Sequence, residues 1–214
     1  MTVGVDKITV KPFKDDLEGK TYDPFLGRMR EASSKIGTHY SWLLGKLVYF
    51  IANIYRDAWS ITLDGDYNLF GQISYRTVLY NTDIDESGTK VRVTFEASAG
   101  ENLKVDNCAI VERSAETADG TEVPTELLFS GASGFTILAG GTLVSDELIF
   151  DIDKTKDYLI IIDISNDIAQ DAIRWTAGYG YFGGAGVPSY NLQAMTAPAT
   201  PNASSVCVNK LEVR

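Results

Sequence analysis

The sequence predicts a mainly β protein, an antiparallel sandwich or barrel carried behind an N-terminal arm and one helix. Three observations predict it. Beyond Ile61 the apolar residues fall into short, mostly alternating segments. Clusters of Gly, Asp, Asn and Ser separate those segments about every dozen residues. The 214 residues are 44% hydrophobic and 22% charged, a balance that supports a sizeable core and excludes a disordered chain.

Taken in order, residues 1–35 alternate short apolar segments with charge. This reads as an arm with one short strand from Lys7 to Val10 and turns near Pro12, Gly19 and Pro24. From Ser41 the pattern changes. Leu43, Leu47, Phe50, Ile51, Ile54 and Ala58 follow helical spacing, Trp42, Tyr49, Tyr55 and Trp59 widen the apolar face, and Ser41 or Thr38 is placed to cap the start. The β-branched and aromatic content of LVYFIANIY keeps a strand reading of 41–59 open beside the helix. Residues 1–60 are therefore assigned to an arm and an apolar docking segment. Trp42, Leu43, Leu47, Phe50, Ile54 and Trp59 are its assembly residues, and 61–214 form the β body.

Within the body, GQISYRTVLYN and TKVRVTFEAS alternate, and LKVDNCAIVERS, TELLFSG, GFTILAGG, LVSDELIFDI, DYLIIIDIS and SVCVNKLEV follow. About eight short strands at this spacing make a sandwich or barrel. YLIII is unbroken, which predicts a central strand covered on both faces. In AGGTLVSDELIFDI, Gly140-Gly141 is the expected hairpin turn, with Leu148, Phe150 and Ile152 facing the core. APATPNASS (197–205) reads as a loop.

Charge narrows the function. The net charge is −10 and the pI about 4.6, which opposes nucleic-acid binding and docking on anionic membranes. SWLLGKLVYFIANIYRDAWS is interrupted by Lys46, Asn53, Arg56 and Asp57, too polar for a membrane span. The first residues carry no apolar secretory core, so synthesis in the cytoplasm is expected. Cys108 and Cys207 are read as buried thiols, with pairing left open.

Catalytic equipment is sparse. The one histidine, His39, precedes the β body and reads as a surface or capping residue rather than a general base. One histidine and two cysteines do not make a zinc site. Asp64 and Asp66, and likewise Asp83 and Asp85, are read as turn residues that either hold a structural calcium ion or simply form turns. The richest signal is aromatic. Trp175, Tyr179, Tyr181, Phe182 and Tyr190 are interleaved with glycine, and serve either the core, a protein interface or a glycan.

From about Leu69 onward, over roughly two-thirds of the chain, the segments resemble the jelly-roll β-sandwich that precedes the catalytic domain in some SGNH (GDSL-type) esterases. The residues that carry the resemblance are Tyr75-Arg76, Val91-Arg92-Val93, Phe129, Gly131, Gly140 and Ser145-Asp146. It implies an antiparallel jelly roll, with WTAGYGYFGGAGVPSY as a long loop before the last strand. The family's catalytic Gly-Asp-Ser and Asp-x-x-His blocks do not occur in this sequence. The expectation is thus a non-enzymatic structural or attachment subunit, most fittingly of a bacteriophage virion (capsid, spike or tail). It would contact other subunits as a homo-oligomer or virion neighbour, and polysaccharide through the aromatic segment. A stand-alone carbohydrate-binding module is the alternative, and an esterase-related enzyme a distant third.

Overall fold

The computed structural model of the chain describes residues 41, 43–47, 54–69, 73–164, 170–182, 190–194 and 200–214. The strand expected at 7–10, His39, Trp42 and Phe50 lie outside the described residues. The chain divides into two compact units, Met1–Ala52 and Asn53–Arg214. In the first, residues 41 and 43–47 are helical.

The second unit is the β-sandwich. Its described strands are β1 (Arg56–Ser60), β2 (Gly65–Leu69), β3 (Ile73–Leu79), β4 (Gly88–Glu96), β5 (Leu103–Val105), β6 (Asn107–Glu112) and β7 (Thr125–Glu126), followed by β8 (Phe135–Ile137), β9 (Thr142–Val144), β10 (Leu148–Ile152), β11 (Tyr158–Ile164), β12 (Gln170–Phe182), β13 (Thr200–Val206) and β14 (Val208–Val213). One sheet has five strands in the order β1-β14-β4-β10, with β9 also paired to β4. The other has seven in the order β13-β12-β3-β11-β6-β7, with β2 on β12, and β5 pairs separately with β8. All these pairings are antiparallel.

Alternation explains the core. Val91, Val93 and Phe95 of β4 point inward with Leu211 and Val213 of β14, and form one buried cluster with Tyr75, Ile110, Tyr158, Ile160 and Ile162 of the opposite sheet. Phe95, Phe129 and Phe135 close one region of it, with ring centroids 4.2–5.5 Å apart in tilted and edge-on arrangements. β11 is buried along its whole length, as its unbroken apolar run predicts. Its even-numbered residues face the main core, while Leu159 and Ile161 face a second cluster with Val78 and Val111 on the outer side of the sheet. Burying each such side chain contributes roughly 1.5–3 kcal/mol.

Several expectations need correction. The apolar segment from Ser41 is helical at 43–47, but its last part is strand β1, so the sandwich begins before residue 61. The register between Asp57 and Trp59 shifts, and the bulge buries the neighbours Ala58 and Trp59 together. Two adjacent buried residues erase the period of two that marks a strand, which is why the segment reads as helix. Trp59 is a core residue, not part of a docking face.

Of the expected long loop at 175–190, residues 183–189 lie outside the described residues and 175–182 belong instead to strand β12, thirteen residues long. Two register shifts near Gly180 and the left-handed Gly178 (φ 97°) conceal its alternation. The expected 197–205 loop contains β13, which tolerates Pro201 because it lies at the edge of its sheet. Asp66 lies on β2 and not in a turn. Gly140 (φ 71°) does turn the chain, yet no hairpin closes there. β8 pairs with β5, whereas β9 and β10 both run beside β4 as one interrupted edge strand. Leu148 and Phe150 still pack against the core and Ile152 is buried.

Candidate functional site

The residues that carry the family resemblance hold the sandwich together. Ser145 fills the gap between β9 and β10: its N–H donates to Val93 O (2.9 Å), while its hydroxyl accepts from Val93 N–H (3.0 Å). The Asp146 carboxylate accepts the N–H groups of Ser130 (3.0 Å) and Gly131 (2.8 Å), both in left-handed backbone conformation. Arg76, fully buried on β3, donates through Nη1 to Ala118 O (2.8 Å) and Gln193 O (3.1 Å), and through Nη2 to Leu192 O (2.7 Å). Burial works against its charge and brings its pKa down to about 10, still protonated at neutral pH.

A second arginine works beside it. Arg113 donates to Thr117 O (2.8 Å), Asp157 (2.9 Å) and the Tyr181 hydroxyl (2.6 Å), and that hydroxyl donates to Glu116 O (3.1 Å). Together the two guanidinium groups fasten segments 116–118 and 192–193 to the outer face of the seven-stranded sheet.

The aromatic residues of the 175–190 segment do not form one platform. Trp175 packs against the main core, and its ring lies so close to Gly65 that a Cβ there would sit 2.5 Å from Nε1. Tyr181 and Tyr190 pack against the second cluster, on the other face of the sheet. Trp175 and Tyr181 are six residues apart and would share a face in a regular strand, but the register shifts between them reverse the direction. Tyr190 N–H donates to Asp163 (2.9 Å). Tyr179 and Phe182 belong to β12 by their backbone, and their side chains lie outside the described part.

The acidic residues are likewise dispersed. Asp66 faces Arg174 at 3.8 Å, Asp83 sits in a single 3-10 turn, and Asp85 N–H donates to Ala58 O. Among the described residues, no group of three or more His, Cys, Asp or Glu side chains converges as a metal site. Cys108 and Cys207 are buried, unpaired thiols, and burial pushes both pKa values up.

Of the assembly residues, Leu43 is 44% exposed, Leu47 52% and Ile54 44%. Leu44, which helical spacing alone did not single out, is 60% exposed.

The outer face of the five-stranded sheet carries two features absent from the sequence reading. One is a charged hub. Glu147 accepts from Tyr55 (2.5 Å), Lys90 (2.5 Å) and Arg214 (2.8 Å), and the Arg92 guanidinium lies 3.7 Å above the Tyr55 ring. The hydrogen bonds from Lys90 and Tyr55 hold the Glu147 carboxyl below the usual carboxylate range. Burial, then the bond to Glu147, raises Tyr55 to about 12.

The other feature is a groove of about 310 Å³ lined by Ser60, Ile61, Thr62, Thr94, Asn209 and Lys210. Ser60, Lys210 and Thr94 form a direct cross-strand row over β1, β14 and β4. Asn209 joins them at the bulge between Val208 and Lys210. The six residues come from three distant parts of the chain, so no local pattern could announce the groove.

Comparison with protein-family models finds no match, and comparison with curated proteins finds none either.

Proposed function

We propose that the chain is a non-enzymatic structural or attachment subunit of a larger protein particle. In this reading the β-sandwich is the body, and the helical segment at 43–47 docks onto a neighbouring subunit. The observation that carries the reading is the exposure of Leu43, Leu44 and Leu47 on little more than one helical turn. Three half-exposed leucines so close together favour a partner, because covering the rest of each contributes roughly 1 kcal/mol. Aligned on a short helix, they suit a helix-in-groove or helix-on-helix contact.

A bacteriophage virion is the particle favoured by the other features. A net charge of −10 keeps copies soluble before assembly. Antiparallel sandwiches serve as bodies in capsid and spike proteins, although a fold alone assigns no function. The residues that resemble an esterase accessory sandwich have structural partners here, which fits a body without its enzyme.

The test is the mass of the full chain by multi-angle light scattering across a concentration series. The expected result is a defined oligomer that dissociates in the triple variant L43Q/L44Q/L47Q, with the circular dichroism of the β-sandwich retained. A wild-type chain that stays monomeric, alone and with cell extract from its source, contradicts the reading.

A further inference from the structure

The five-stranded sheet ends in an open edge. Among the described residues, β10 pairs with β4 on one side and with no strand on the other. Such an edge presents unpaired N–H and C=O groups and is a template for a further strand. The sequence of β10, LIFDI, holds no proline or lysine to guard it. Its outward Ile149 is 78% exposed, the highest value of any large apolar side chain among the described residues. Two positions to either side of Ile149, on the same face, stand Glu147 and Asp151. Leu148 and Phe150, on the inner face, pack against the main core yet stay only partly buried. A register shift against β4 between Ile149 and Ile152 leaves this alternation of exposure intact.

Charge selects the occupant. A second β10 laid antiparallel about Ile149 would set Glu147 against Asp151, and like charges directly opposite destabilise a pair. The complementary strand carries a basic residue two positions to either side of a good β-former. Lys7-Ile8-Thr9-Val10-Lys11 has that pattern, and it begins with the short strand that the sequence predicts in the arm. Laid antiparallel with Thr9 opposite Ile149, it sets Lys7 opposite Asp151 and Lys11 opposite Glu147. In the same register Ile8 meets Phe150 and Val10 meets Leu148, apolar against apolar on the inner face. Glu147 already has three partners, so the deciding ion pair is Lys7 with Asp151. Pro12, with no N–H to donate, falls opposite Asp146, just beyond the end of β10. Residues 12–42 can span up to roughly 100 Å, enough to reach a neighbouring molecule.

We infer that Lys7–Lys11 of one copy adds as a strand to the β10 edge of a neighbouring copy, extending its five-stranded sheet. Backbone hydrogen bonds along the edge supply the attachment. The Lys7–Asp151 pair and the covering of Leu148 and Phe150 fix the register, because a slip of one residue would turn both lysines to the apolar face. The inference deepens the subunit role proposed above by naming a second contact between copies, one that does not use the docking helix.

The test is disulfide trapping in the full chain. T9C and I149C are made as separate variants, mixed, mildly oxidised, blocked with N-ethylmaleimide and run on a non-reducing gel, while the buried Cys108 and Cys207 stay out of reach of the oxidant. Linked dimers are expected, because residues directly opposite on paired strands lie within disulfide range. V10C mixed with I149C should link several-fold less, since Val10 falls on the other face. K7E added to the T9C chain should cut the yield several-fold, and D151K added to the I149C chain should restore it. Linkage should persist with L43Q/L44Q/L47Q in both chains, which separates this contact from docking by the helix. The inference is overturned if T9C and I149C do not link, or if V10C links as well as T9C. It is also overturned if linkage forms only within a chain carrying both T9C and I149C, since the arm would then close on its own sandwich. An oligomer by light scattering with no such linkage overturns the arm contact alone and leaves docking by the helix standing.

Discussion

The outer faces of the two large sheets use the same residue types to opposite ends. On the seven-stranded sheet, Arg76 and Arg113 are buried beneath loop segments and donate to backbone carbonyls, a carboxylate and a phenol. On the five-stranded sheet, Lys90, Arg92, Lys210 and Arg214 lie at the surface in ion pairs with Glu147, Glu212 and Asp57. A guanidinium taken out of water has to be held by hydrogen bonds from the protein and becomes a rigid fastener. One left in water is screened and contributes little. The first face is therefore closed by its charges, and the second remains open for contact.

Mutation of matched charges breaks or sharpens this contrast. R76M leaves three carbonyls and the nearby Asp163 and Asp119 without their cation, and should cost about 3–5 kcal/mol in denaturant unfolding. R92M removes an arginine of the same size from the open face and should cost under about 1 kcal/mol. Equal losses for the two would erase the contrast. Between them comes D146A, which strips the acceptors from the Ser130 and Gly131 amides and should cost roughly 1–3 kcal/mol.

Smaller effects concern titration and reactivity. The Tyr55 phenol is raised from 10.0 to about 12, so its neutral form is the one favoured by the fold. Its contribution is whole below pH 10 and is lost as pH rises from there through 12. The stability of the wild type relative to Y55F should fall over that window in pH-dependent denaturation. Cys108 and Cys207 should resist a thiol reagent at pH 8 in the native protein and both react once it is unfolded, because burial disfavours the thiolate.

Legibility in the sequence followed local regularity. β4 and β11 could be read directly, one from alternation and the other from an unbroken apolar run. β1, β12 and β13 could not. A bulge pairs Ala58 with Trp59 on one buried side, glycines and two register shifts interrupt β12, and Pro201 sits in β13 on an edge where proline is tolerated. Arg76 read as one arginine in a strand, since nothing local tells which carbonyls will fold over it. Leu43 and Leu47 were visible from helical spacing and Leu44 was not, whereas the groove was invisible because Ser60, Thr94 and Asn209 meet only in the folded sheet.

The claim that the helix docks the subunit is most directly tested by hydrogen–deuterium exchange of the full chain, at concentrations where it is assembled and where it is dissociated. Docking through the helix predicts that assembly slows exchange at 43–47 and leaves the peptides of β3, β6 and β11 unchanged. Protection confined to strands of the sandwich, with the helix exchanging at one rate in both states, would contradict it.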